Sequence, residues 1–264
     1  MSGDNNISYR LIYAVRYGNV ERVRELIDCF GLSYSGGYDL LCDALANKQT
    51  EVAKLLLTKG SKVNSRNGRP TGTPLHYAVI NGDIEIVEML LNRSANINAA
   101  NQYGITPLYN AVRSKKMEII ELLLKKGAFV NARNGCSFTP LHLAVEKGSK
   151  EIVKLLLKHG ASVNSACNSA FREGHTLWLG VKETCTYWEG YTPLWLAVGK
   201  GHEEVVKLLL ESGANVHAED KDGKTVLHFA VERRCFVITI LLSYLSLVWT
   251  GIIVHFSRTQ IGMF

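Results

Sequence analysis

The chain reads as an all-α solenoid of stacked helical hairpins, and three observations predict it. A heptapeptide of one pattern recurs at Thr73–Val79, Thr106–Val112, Thr139–Val145, Thr192–Val198 and Thr225–Val231, at a spacing of 33 residues that 20 extra residues interrupt once. Apolar residues within and after each copy recur with a helical period. A loop with an extended tip then leads into the next copy. A fixed period of this kind means small units, none of which can bury its apolar face alone.

Taken in chain order, Leu11–Val15 with Gly18–Ile27 matches the hairpin without Thr-Pro, and Asp39–Leu45 with Val52–Leu57 is a second degenerate copy. The third unit is the clearest. Thr73 is a natural N-cap, and Pro74 suits the first turn, where its missing N–H is not needed. Leu75, Ala78 and Val79 form one apolar stripe, and Asn81-Gly82 ends the helix. A second helix follows, with Ile84, Val87, Leu90 and Leu91 predicted on one face and Glu85 and Glu88 on the other. Seven units result, starting near Tyr9, Asp39, Thr73, Thr106, Thr139, Thr192 and Thr225. The predicted organisation is a tail over 1–8, a repeat array over 9–246 with a long loop inserted at 166–189, an apolar segment over 235–257, and a tail over 258–264.

The Thr-Pro-Leu-His motifs, the inter-helix glycines Gly82, Gly148 and Gly201, and segments such as Lys154–Asn164 resemble the ankyrin-repeat family over roughly residues 8 to 231. The resemblance implies an ankyrin solenoid whose finger loops and first helices form a concave binding surface. It also gives His76, His142 and His228 a structural role, bonded to the motif threonine and an adjacent loop carbonyl. Departures are local. Lys48, Lys115 and Arg234 replace the inter-helix glycine, and Ser94 replaces the helix-ending glycine found at Gly60, Gly127, Gly160 and Gly213. If those sites need positive φ, each replacement costs on the order of 1 kcal/mol.

Composition narrows the function. Hydrophobic residues make up 47% of the 264, ample for a continuous core, and the net charge of +6 is modest and dispersed over second-helix faces. No block of Lys/Arg interleaved with stacking aromatics is present, which argues against a nucleic-acid partner. The six cysteines, Cys29, Cys42, Cys136, Cys167, Cys185 and Cys235, show no paired spacing. Cys29 and Cys42 are expected in repeat interiors. Free thiols without a signal peptide at the N-terminus point to the cytoplasm or nucleus.

No catalytic constellation is legible, and neither an enzyme nor a cofactor is expected. There is no phosphate-cradling glycine loop and no nucleophile elbow. Cys167, His175 and Cys185 share the insertion, but their spacing matches no zinc template.

The family's variable contact positions map here onto Arg69, Gln102, Tyr103, Ile105, Phe138, Trp188, Tyr191 and Lys224 on fingers. On first-helix ends they map onto Asn47, Ile80, Asn81, Arg113, Ser114, Glu146, Lys147, Lys200 and Arg233. Tyr103, Phe138, Trp188 and Tyr191 are expected to be open to solvent unless neighbouring fingers pack them. Large rigid side chains of this kind often anchor interfaces. The insertion at 166–189 falls in a finger, where a stack accepts extra residues without disturbing helix packing. It reads either as a ligand-gripping excursion or as a segment without function.

After Arg234 the pattern changes. The second helix of the last unit is expected near Phe236, with Ile238, Leu241 and Leu242 toward the core, but its outward positions are apolar as well. The 23 residues between Arg234 and Arg258 include no Lys, Arg, Asp or Glu. As a helix they would span about 34 Å, enough for a hydrocarbon core of roughly 30 Å. Three readings stay open: a tail anchor, a greasy capping or partner-binding helix, and a frame or splice fault in the sequence. The expected function is a monomeric, non-catalytic scaffold or adaptor that binds a protein partner, with a membrane-tethered repeat protein as the alternative.

Overall fold

A computed structural model describes residues 2–32, 39–65, 72–167, 190–219 and 223–243. Among these residues the chain is all helical, with one isolated antiparallel bridge between Glu219 and Thr225. It divides into two compact units, Met1–Asn134 and Gly135–Phe264.

The first unit contains α1 (Ser2–Arg16), α2 (Val20–Phe30), α3 (Leu40–Ala46), α4 (Thr50–Thr58), α5 (Pro74–Asn81), α6 (Ile84–Asn92), α7 (Pro107–Arg113) and α8 (Met117–Lys125). First helices pack on first helices, α1 on α3, α3 on α5 and α5 on α7, while α2, α4, α6 and α8 form a parallel second layer. α1 begins at Ser2, well inside the segment predicted as a tail. In the second unit α9 (Pro140–Glu146), α11 (Pro193–Lys200) and α13 (Val226–Glu232) make the first layer, and α10 (Lys150–Lys158) packs on α12 (Glu203–Glu211) in the second.

The predicted unit starts Asp39, Thr73, Thr106, Thr139, Thr192 and Thr225 are all N-cap residues. Four of the helices they open carry Pro in the first turn. The motif leucines Leu75, Leu108, Leu141 and Leu194 are fully buried, as are Leu56, Leu90, Leu123, Leu156 and Leu209 of the second helices. Each such leucine contributes about 1.5–3 kcal/mol of burial. In α6 the buried residues are Ile86, Val87 and Leu90, while Ile84 is exposed and Leu91 half-buried. The true stripe therefore runs i, i+1, i+4. Ile86 fills a position that Val52, Ile119, Ile152 and Val205 also bury in their own repeats. Arg22 stands at that position in the first repeat, where it pairs with Glu25 at 2.8 Å instead of entering a core. Cys42 is buried as expected, but Cys29 lies on the exposed side of α2.

All four replaced glycines hold the left-handed conformation: Lys48 at φ 58°, Ser94 at 61°, Lys115 at 53° and Arg234 at 55°. The turn geometry is thus kept by the fold against the preference of the residue. Ser137, at φ 60°, is a further strained position that the repeat pattern did not flag.

Candidate binding surface

The platform for any surface is the Thr-Pro-Leu-His turn. The backbone N–H of Thr73 donates to His76 Nδ1 at 3.1 Å, so Nδ1 is the acceptor and Nε2 carries the proton. Nε2 then donates to the carbonyl oxygen of Ile105 at 2.9 Å, in the finger of the next repeat. The Thr73 hydroxyl lies 2.9 Å from the same Nδ1, and His76 and Thr73 are both buried. His142 and His228 make the same contacts to Thr139 and Thr225, with the hydroxyls at 2.8 and 2.9 Å. Repeat four uses Tyr109 at this position, and Asn134 Nδ2 donates to its hydroxyl at 3.3 Å. His76 and Tyr109 thus tie helix entry to a following loop.

Asparagines that close the segment after a second helix, Asn64, Asn98 and Asn164, add a second set of ties. Asn64 Nδ2 donates to the Ser94 carbonyl at 3.1 Å and Asn64 Oδ1 accepts from the Asn96 N–H at 2.7 Å. Asn98 accepts from Phe129 N–H at 2.7 Å, and Asn164 repeats the Asn64 pair with Gly213 and Asn215 at 3.1 and 2.8 Å. Asn164 closes the Lys154–Asn164 segment that carries the resemblance, yet the bridging role of these residues is invisible without the neighbouring repeat. Sequence spacing alone gives an acceptor and two donors but not where they point.

Finger geometry explains how the insertion is tolerated. In repeat four Asn101 N–H donates to the Ile105 carbonyl at 2.9 Å and Gly104 N–H to the Asn101 carbonyl at 3.0 Å. Cys167 N–H donates to the Tyr191 carbonyl at 3.0 Å, and Gly190 N–H to the Cys167 carbonyl at 2.8 Å. The two fingers close identically, although Gln102-Tyr103 separates the first pair and residues 168–189 the second. α9 and α10 consequently pack on α11 and α12 as sequential repeats do.

Of the predicted contact residues, Gln102, Lys147, Lys200 and Lys224 are exposed, and Ile80, Tyr103, Arg113, Glu146 and Tyr191 are half-buried. Arg69 and Trp188 lie outside the described residues. Ile105 and Phe138 correct the expectation: they are 2% and 4% exposed and belong to the interior. Ile105 is drawn in by the bond from His76 to its carbonyl, and the Phe138 ring packs 5.2 Å from that of His142. Tyr191 stacks on buried Trp195 at 4.7 Å and 16°. Phe229 leans on Trp195 at 5.3 Å, with the Arg233 guanidinium 5.1 Å from the Phe229 centroid. Finger aromatics here mostly cement the framework, and the open positions are polar or basic. Lys224 is tied to Glu232 at 2.6 Å.

Second-helix outer faces carry charge pairs. Lys54 reaches Glu85 of the next repeat at 2.7 Å, and Glu204 sits between Lys150 at 2.9 Å and Lys207 at 2.8 Å. Both ammonium groups hold the Glu204 carboxyl down at about 2. Residues 236–243 are helical, with Ile238 and Leu242 buried and Leu241 half-buried, in the predicted register. Phe236, Val237 and Ile240 occupy the outward positions that are mostly charged in earlier repeats, and are 75%, 52% and 70% exposed. Leu241 lines a cleft of about 480 Å³ together with Leu210, Ala214 and Val216. No helix among the described residues is long and apolar enough to cross a membrane; residues 244–257 of the predicted apolar segment lie outside them. Among the described residues no three His, Cys, Asp or Glu side chains are grouped to hold a metal ion, and His175 and Cys185 fall outside that set.

Comparison with known proteins agrees with this architecture. The chain is 50% identical over 54 residues to mouse Rabankyrin-5, covering 20% of this chain and 5% of that protein. It is 30% identical over 96 residues to mouse palmitoyltransferase ZDHHC13, covering 33% of this chain and 14% of that protein. The chain thus spans only a small part of the relatives it matches. The family described as ankyrin repeats in three copies matches residues 41–134, 75–167, 131–177 and 174–248. With the stacked hairpins, the Thr-Pro-Leu-His turns and the finger ties on the same residues, the chain belongs to the ankyrin-repeat family.

Proposed function

We propose that this protein is a non-catalytic binding module that holds a protein partner on its fingers and first-helix ends. The observation that carries this is the contrast within the inner repeats. From Thr73 to Val198 the motif residues are buried, and His76 is bonded to the next repeat, whereas neighbouring positions such as Gln102, Arg113, Lys147 and Lys200 present varied side chains on a fixed backbone. A rigid scaffold with variable tips suits recognition, because little ordering entropy is lost on binding. The working state is expected to be a monomer in a reducing compartment, cytoplasm or nucleus, with no nucleic-acid partner.

The test is partner capture by the full chain against two surface variants. Ile80→Arg with Arg113→Glu alters the first unit, and Lys147→Glu with Lys200→Glu alters the second. Capture is expected to fall at least about fivefold in one of them while the thermal midpoint holds. Capture that is unchanged in both removes the assignment.

A second reading, membrane attachment through the C-terminal segment, draws support from Phe236, Val237 and Ile240. Three exposed apolar side chains on one short helix are unusual for a surface that water alone covers. They belong to the uncharged run over 235–257 that one reading takes as an anchor. Release of the full chain into the soluble fraction on carbonate extraction eliminates that reading.

A further inference from the structure

Lys147, Lys200 and Arg233 occupy one position in three successive repeats of the second unit, the residue before the inter-helix turn. All three are exposed, and Lys147 and Lys200 make no ion pair among the described residues. A basic residue at a helix C-terminus also complements the helix dipole. That account is insufficient here, because Asn47, Asn81 and Ser114 hold the same position in the first unit without charge. Two of those have framework work: Asn81 Nδ2 donates to the Leu45 carbonyl and Asn47 Nδ2 to the Asp43 carbonyl, both at 2.7 Å. Among the described residues the two lysines have no such side-chain bond.

The row has a spacing. α9 packs on α11 and α11 on α13, so the helices that carry it follow one another at about 8–10 Å, the usual separation of packed helix axes, and the flexible side chains can take up that spacing. A polyproline II chain rises about 3.1 Å per residue with three residues per turn. Every third side chain therefore returns to one edge at about 9 Å. We infer that the first-helix ends of the second unit bind an acidic segment of a protein in extended, polyproline-II-like form, with a carboxylate at every third residue. This rests on the protein-binding reading above and supplies its partner chemistry.

The surrounding residues favour peptide over nucleic acid. A single strand needs open aromatic faces on which bases stack. Here Tyr191 already covers Trp195, Phe229 leans against Trp195, and Arg233 lies over Phe229. Glu232 is engaged by Lys224, which leaves Arg233 beside a neutralised carboxylate. Glu146, next to Lys147, is a further acidic residue beside the row, with no ion pair to Lys147 among the described residues.

The test uses the full chain and fluorescent peptides in a Pro/Ala background: one with Glu at every third position, its Gln counterpart, and one with the same Glu residues adjacent. An oligothymidylate of similar length is the fourth probe. Anisotropy at low salt is expected to give the spaced Glu peptide at least about tenfold tighter binding than either peptide control and the oligonucleotide. Lys200→Glu and Arg233→Gln are expected to weaken it severalfold with the thermal midpoint held, and Lys125→Glu, exposed at the end of α8 and outside the assigned surface, to leave it unchanged. Equal binding of Glu and Gln peptides, indifference to Glu spacing, or tighter binding of the oligonucleotide overturns the inference. If no peptide binds yet partner capture falls in Lys147→Glu/Lys200→Glu, the surface stands and its acidic ligand does not; if neither effect appears, the inference falls, and the protein-binding reading falls with it only when Ile80→Arg/Arg113→Glu also leaves capture unchanged.

Discussion

Lys150 Nζ lies 2.9 Å from Glu204 Oε2, although 54 residues separate the two in the chain. They belong to repeats five and six, and the pair forms because the inserted residues leave the helices on either side in ordinary repeat packing. The insertion is an addition to a finger tip, not a break in the stack.

Replacing residues 168–189 by Gln-Tyr, the dipeptide between Asn101 and Gly104, is therefore expected to rebuild a normal finger. Closing a loop of 22 residues costs at most about 2 kcal/mol more than closing one of two. Denaturant unfolding should show equal or higher stability, by no more than that amount. A variant that unfolds more easily by over about 1 kcal/mol would show that the insertion packs on the repeats.

Glu204 offers a test by pH. Its carboxyl is lowered from the ordinary 4.5 to about 2, first by the bond from Lys207 and then by that from Lys150. A depressed carboxyl adds stability that is fully present above the unfolded value and is lost as pH falls through the folded one. That contribution should fade between pH 4.5 and about 2. A side-chain carboxyl NMR titration is expected to find the midpoint near 2 and to see it rise in Lys207→Met and Lys150→Met.

His76→Leu removes the acceptor of the Thr73 N–H and the donor to the Ile105 carbonyl, both in a buried site. Stranding those groups should cost about 2–4 kcal/mol. His228, exposed although bonded to Thr225 in the same manner, should cost less than about 1 kcal/mol as His228→Leu. Urea unfolding of the two variants checks the order, and equal losses would remove the buried tie as the cause.

Backbone strain gives a further pair of outcomes. Lys115→Gly and Ser94→Gly, at φ 53° and 61°, should each stabilise the protein by about 0.5–1 kcal/mol. Gly127→Ala, at φ 90° with open space around the added methyl, should destabilise it by about 1–2 kcal/mol. Thermal melts of these variants, read against Lys125→Ala as a surface control, measure both signs.

By itself the amino-acid sequence determined the hairpin repeat, the N-cap at Thr73, the helix starts after Asp39, Thr106, Thr139, Thr192 and Thr225, the sites where Lys48, Ser94, Lys115 and Arg234 stand in for glycine, and the core register of Ile238 and Leu242, with Leu241 only half-buried. Each depends on local chemistry: capping, turn conformation, and an apolar period that only a helix satisfies. Which residues stay open was a different matter. Phe138 and Ile105 read as contact residues but are buried, Ile84 read as core but is exposed, and the Asn64, Asn98 and Asn164 bridges were not foreseen. Those outcomes were decided only by tertiary structure, because a side chain's burial and hydrogen-bond partners depend on the repeat stacked beside it, which lies some 33 or more residues away in the chain.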